Sequence, residues 1–125
     1  MSRFAKAFIL SLAGLFAVWA ATQTDAFAAI ASMSGSLWFD NFLPWLQAHA
    51  NGLTLRRAYF SLGDREPRTR NPRMTRVGDC TQAAARLLTE RGIPTAFVWQ
   101  PGNHFSAVPR RIAEGVNAAA NAVLR

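Results

Sequence analysis

The chain reads as an α/β protein, a mostly parallel sheet of three to four strands with helices on both faces. Two observations predict this. Short apolar runs of strand length alternate with longer stretches of helical period, the order from which parallel sheets are built. Polar residues gather directly after the apolar runs, as functional groups do beyond the carboxyl ends of strands in such sheets.

Residues 7–10 (Ala-Phe-Ile-Leu) read as the end of a buried strand. Ser11 then occupies a sharp turn, and residues 12–22 form a helix covered on nearly all sides. The same stretch carries a second reading. Arg3 and Lys6 give a positive start, residues 7–21 are almost unbroken apolar sequence, and Ala26-Phe27-Ala28 resembles a small-x-small cleavage site. Residues 1–28 thus imitate a secretory signal. An apolar run of about 15 residues is too short to cross a bilayer comfortably, so no stable membrane span is expected.

Residues 28–33 form a short apolar strand bounded by Ser34-Gly35-Ser36. Residues 39–50 place Phe42, Leu43, Trp45, Leu46 and His49 at helical spacing, with Asp40 as N-cap and Pro44 early in the helix. Asn51-Gly52 ends that helix, and residues 54–62 make a second strand closing at Gly63. A polar loop punctuated by Pro67 and Pro72 follows over residues 63–77. Asp79 or Thr81 opens a helix that runs to Arg91, with Ala84, Leu87 and Leu88 on one face and Gly92 as its stop. Residues 94–99 are the third strand after the opening segment, and residues 107–125 a final helix with Ile112, Val116, Ala119, Ala120 and Val123 facing inward.

At 125 residues the chain is one domain, and with half its residues hydrophobic it is not a disordered one. Cys80 is the single cysteine, which excludes an internal disulfide, and two histidines beside it argue against a structural zinc site. The net charge is +7, and thirteen of the fourteen cations are arginines. Arg65, Arg68, Arg70, Arg73 and Arg76 crowd one segment, which reads as a solvated loop whose arginines meet Asp64, Glu66 and Asp79. No RNA-binding or helix-turn-helix signature accompanies the charge, so no nucleic-acid partner is expected.

Three polar stations follow one another in the order serine, carboxylate, histidine. They are Ser11, the turn holding Asp64 and Glu66, and His104 behind Pro101-Gly102. A hydroxyl is a poor nucleophile until an imidazole takes its proton, and the imidazole needs a carboxylate to fix its tautomer and stabilise its charged form. Ser34, Gly35, Ser36 and Trp38 follow a strand, where they line a pocket or simply pack. His49 reads as a helix-surface residue and Cys80 as a packing residue near a helix start.

Several linked segments resemble the enterochelin-esterase-like branch of the α/β-hydrolases. They are Ser-Leu-Ala-Gly-Leu-Phe at 11–16, Thr-Asp-Ala-Phe at 24–27 and Ser-Met-Ser-Gly-Ser-Leu-Trp at 32–38. Ser-Leu-Gly-Asp at 61–64, Thr-Arg-Asn-Pro at 69–72 and Gly-Asn-His-Phe at 102–105 continue the likeness in order. It implies a partial α/β-hydrolase with the N-terminal half of the fold missing, residues 1–125 running from the nucleophile elbow to the final helix. It also implies a serine hydrolase acting on carboxylic esters without metal or cofactor. Ser11 is then the nucleophile, His104 the general base, Glu66 in preference to Asp64 the acid, and the Leu12 N–H an oxyanion donor at a helix N-terminus.

The expected partner is a small-molecule ester. The alternatives are a non-catalytic interaction protein, self-associating through an exposed sheet edge, and a small exported basic protein. Because the resemblance passes without interruption across residue 28, a cytoplasmic location is expected, or a secreted or periplasmic one if residues 1–28 act as a signal.

Overall fold

Three short runs rich in β-branched, aromatic and small residues line up side by side as parallel strands, joined by helices that must cross from one end of the sheet to the other. The computed structural model describes the backbone of residues 3–123 and the side chains of residues 11–121. The elements are α1 (Arg3–Gln23), β1 (Ala29–Met33), α2 (Phe42–His49), β2 (Arg57–Gly63), a 3-10 turn (Met74–Arg76), α3 (Val77–Glu90), β3 (Thr95–Gln100) and α4 (Val108–Val123). The sheet order is β1-β2-β3. Ile30 lies against Ala58, and Phe60 against Phe97, in the parallel register.

The α/β class and the helices on both faces follow from which side of each strand is apolar. Ile30, Ala58 and Phe60 point to one side, where they meet Val18 and Ala21 of α1, Leu46 of α2, and Ala84 and Leu88 of α3. Met33 and Tyr59 point to the other side and meet Val108 and Ala118 of α4. β2 lies between two neighbours and is buried from Ala58 to Gly63, as a central parallel strand must be. β1 and β3 are the two edges, and Val98 and Trp99 of β3 reach solvent.

The opening segment departs from its sequence reading. Residues 7–10 belong to α1 and not to a strand, so the chain passes Ser11 as continuous helix and makes no turn there. The run of Phe, Ala, Lys, Ile and Leu is short enough to be ambiguous by pattern, and most of those residues form helices readily. The sheet therefore has three strands among the described residues. The side chains of Arg3 and Lys6, which suggested a positive start, lie outside the described residues. Among those described, no helix is long and apolar enough to cross a membrane.

Two smaller expectations also change. Asp40 does not cap α2: Asn41 holds that place in the left-handed region, and Asp40 instead pairs with Arg73 and Arg76. In α4 the buried positions are Val108, Arg111 and Gly115, whereas Ile112 is exposed and Val116 is 55% exposed. The inward face is thus set by a charged residue and a glycine. A Cβ on Gly115 would run into Met33, so α4 approaches the sheet closely there. Val123, also expected to face inward, has its side chain outside the described residues.

α1 is held by a similar approach. A Cβ on Gly14 would lie 2.6 Å from the Gly35 Cα, 2.7 Å from Ser32 Oγ and 3.0 Å from the Gly35 N. In an exposed helix Gly→Ala stabilises by about 1 kcal/mol. Here the sign reverses: Gly14→Ala is expected to lower stability by about 1–3 kcal/mol through overpacking, measured by urea unfolding against wild type.

Candidate active site

Parallel strands deliver all their carboxyl ends to one edge of the sheet, and the loops leaving β1, β2 and β3 meet there. After β2 the chain folds tightly back: the Glu66 N–H donates to the Gly63 carbonyl at 3.0 Å. From that turn the Asp64 and Arg65 N–H groups donate to the carbonyls of Gln100, which ends β3, and Gly102, both at 2.8 Å, and the Gly102 N–H returns a bond to Asp64 Oδ1 at 2.9 Å. These bonds zip the two loops together. Gly63 is needed for the contact, since a Cβ there would lie 2.5 Å from the Gly102 carbonyl oxygen.

The zipped loops set His104 against Glu66, with Nδ1 2.6 Å from Oε1. A second turn steadies the histidine from its own side. Asn103 Oδ1 accepts the Phe105 N–H at 2.9 Å, and the Ser106 N–H donates to the Asn103 carbonyl at 3.1 Å. The other carboxylate oxygen, Oε2, accepts from Ser34 Oγ at 2.7 Å, from Arg111 Nη2 at 3.1 Å, and from the Gly63 N–H. Ser34 reaches it from the end of β1 with φ of 56°, an uncommon left-handed conformation for a residue with a Cβ.

Glu66 has only 4% of its side chain exposed, and His104 25%. Burial alone would raise the Glu66 pKa. The bonds from His104, the Gly63 N–H and Ser34, and the charge of His104, together carry it below the ordinary carboxylate value of 4.5. Glu66 is therefore an anion at neutral pH and accepts every bond it makes. The proton between it and His104 belongs to Nδ1, which in the neutral ring leaves Nε2 as the basic nitrogen.

Ser11 enters from α1. Its Oγ lies 2.7 Å from Ser36 Oγ, and its carbonyl accepts from both the Ser36 N–H at 3.1 Å and Ser36 Oγ at 2.9 Å. The hydroxyl of Ser36 has one hydrogen, which it gives to that carbonyl, so the Ser11 hydroxyl donates to Ser36. Ser11, Ser34, Trp38, Glu66, Met74, Val77 and His104 line one narrow cleft of about 40 Å³. A larger groove of about 450 Å³ lies between α3 and β3 and contains none of these residues.

Of the residues expected from sequence, Ser11, Glu66 and His104 share the cleft. Asp64 binds the Gly102 N–H and shapes the turn. Leu12 does not stand at a helix N-terminus, because α1 begins at Arg3. Its N–H sits inside the helical repeat, where the carbonyl four residues back takes it, and its side chain is exposed. The arginine cluster meets Asp40 through Arg73 and Arg76, while Glu66 takes its cation from α4. His49 stacks on Trp45 at the surface, and its Nδ1 lies 2.7 Å from the Trp45 carbonyl. Cys80 packs against the main core; burial pushes its thiol pKa up, Arg76 opposing and Asp79 adding to the shift.

Arg111 was not singled out by the sequence. The available signal was weak: an Arg-Arg pair at 110–111 sets two arginines about 100° apart on the helix, which does not by itself turn either one inward. No family model, curated protein or solved structure matches the chain.

A carboxylate whose folded pKa lies below 4.5 contributes stability that is fully present above that value and is lost as pH falls through the lower folded pKa. Glu66→Gln leaves Arg111 without its anion, and is expected to cost about 3 kcal/mol at neutral pH. The stability gap between wild type and this variant, measured by urea unfolding across pH, is expected to narrow as pH falls from 4.5 and to close as it passes the lower folded pKa.

Proposed function

We propose that this chain is an esterase-type serine hydrolase, built on part of an α/β-hydrolase layer and acting on small carboxylic esters. The observation that carries the reading is the buried Glu66–His104 pair, with Nδ1 2.6 Å from Oε1, opening on a cleft that Ser11 also lines. The order of the three residues along the chain and their likeness to the esterase-like hydrolases support it.

In this mechanism the Ser11 hydroxyl turns from Ser36 toward Nε2 of His104 as an ester enters the cleft. Ser11 Oγ attacks the carbonyl carbon while Nε2 takes its proton. Glu66 stabilises the imidazolium that results and stays ionised throughout. The tetrahedral intermediate collapses, Nε2 gives the proton to the departing alcohol, and an acyl-Ser11 ester remains. Water, deprotonated by Nε2, then attacks the acyl carbon; Nε2 returns the proton to the departing Ser11 Oγ, and the acid is released. With the Leu12 N–H taken up inside α1, one oxyanion donor is lost, and a rate lower by about 10² to 10³ is expected on that account.

Slow turnover makes covalent labelling the better test. A fluorophosphonate probe is expected to label the wild type on Ser11, to leave Ser11→Ala unlabelled, and to label His104→Ala at least about 10³-fold more slowly. Folded wild-type protein that takes no label overturns the proposal. A second reading, an interaction protein, is favoured by one observation: Leu12, Phe16 and Trp19 form an exposed apolar stripe along α1. The same experiment separates the two, since an interaction surface has no need of a reactive serine.

For location we favour the cytoplasm. Val18 and Ala21, within the signal-like segment, are part of the main core, and the Ser11 carbonyl anchors the loop after β1. Cleavage before Ala29 would remove both. Mass spectrometry of the purified protein is accordingly expected to find an N-terminus that still includes α1.

A further inference from the structure

Arg111 is 1% exposed and is the largest fully buried side chain among the described residues. A buried ion pair seldom stabilises a fold more than apolar residues of the same volume would, so an arginine in this position calls for another explanation. Its contacts supply one. Nη2 donates to Glu66 Oε2 at 3.1 Å and to Ser34 Oγ, while Nη1 donates to the carbonyls of Asn103 at 3.4 Å and Ser106 at 3.5 Å. One guanidinium therefore ties together the end of β1, the turn after β2, and the loop on either side of His104.

We propose that Arg111 is a positioning residue that fixes the Glu66–His104 pair by gripping the carboxylate and the histidine loop at once. The inference rests on the hydrolase reading for its purpose, though not for its geometry. By holding Oε2, the fork turns Oε1 toward the imidazole. By holding the carbonyls of residues 103 and 106, it sets the height of His104 above that oxygen. A planar fork with several donors in fixed directions does both; an ammonium meets one set and a thioether neither. The pattern also explains why α4 turns Arg111 inward and leaves Ile112 and Val116 to solvent.

A readout that needs no turnover isolates this role. A proton held between Nδ1 and a carboxylate resonates far downfield of the amides in one-dimensional proton NMR. That signal is expected in the wild type and absent from Glu66→Gln and His104→Ala, which assigns it. In Arg111→Met, folded by circular dichroism, the signal is expected to vanish or move upfield, and fluorophosphonate labelling to slow about 10- to 100-fold. Arg111→Lys is expected to fall between Arg111→Met and the wild type on both measures. If Arg111→Met does not fold, Arg111→Lys decides alone. A folded variant with the wild-type resonance and the wild-type labelling rate overturns the proposal. A wild type that shows the resonance yet takes no label sinks the hydrolase reading and leaves the role of Arg111 in holding the pair intact.

Discussion

A buried carboxylate stays ionised only where its oxygens are met by donors, and that condition on Glu66 organises the sheet's carboxyl edge. Oε1 is met by His104 and Oε2 by Ser34, Gly63 and Arg111. Each donor in turn dictates something larger. Ser34 reaches its place through a left-handed backbone at the end of β1. Arg111 must point inward, so α4 presents Val108, Arg111 and Gly115 to the sheet. Gly115 then sits against Met33 where a side chain would not fit. The pairing of one charge thus reaches the orientation of a whole helix.

This reach explains what the sequence made legible and what it did not. Strands at 29–33, 57–63 and 95–100 were readable because each is a short apolar run closed by a turn and set between stretches of helical period. Glu66 and His104 were readable because strand ends in a parallel sheet must converge. The face of α4 was not. Periodicity counts apolar residues, and by that count Ile112 and Val116 belong inside; the count has no way to weigh one arginine whose carboxylate lies 45 residues earlier. The start of α1 failed for a different reason. Four apolar residues before a serine fit the end of a strand or the middle of a helix equally well, and length alone separates the two.

The continuous helix at Ser11 changes the chemistry the site can offer. A nucleophile on a tight strand-to-helix turn stands beside unpaired N–H groups at a helix start, which serve as oxyanion donors. A serine inside a regular helix has no such neighbours, because the repeat consumes them. What α1 supplies instead is a fixed position, set by the contact of Gly14 on Gly35 and by the two bonds from Ser36 to the Ser11 carbonyl. For the proposed hydrolase, placement is kept and transition-state stabilisation is reduced, a combination suited to slow acylation.

Each of the two serines has one hydroxyl hydrogen to place. Ser36 spends its only proton on the Ser11 carbonyl, so the proton of Ser11 goes to Ser36 Oγ. In that arrangement the Ser11 proton is held by Ser36. On the proposed hydrolase reading, activation costs the Ser11–Ser36 bond, about 1 kcal/mol for a neutral pair, and gains a bond to the imidazole in exchange. That exchange would favour the imidazole as a bound ester's carbonyl carbon draws electron density from Ser11 Oγ, because the proton then binds more tightly to nitrogen than to oxygen. On this proposed reading, the serine is quiet at rest and depends on a bound ester, held against the Glu66–His104 pair, to call it into play.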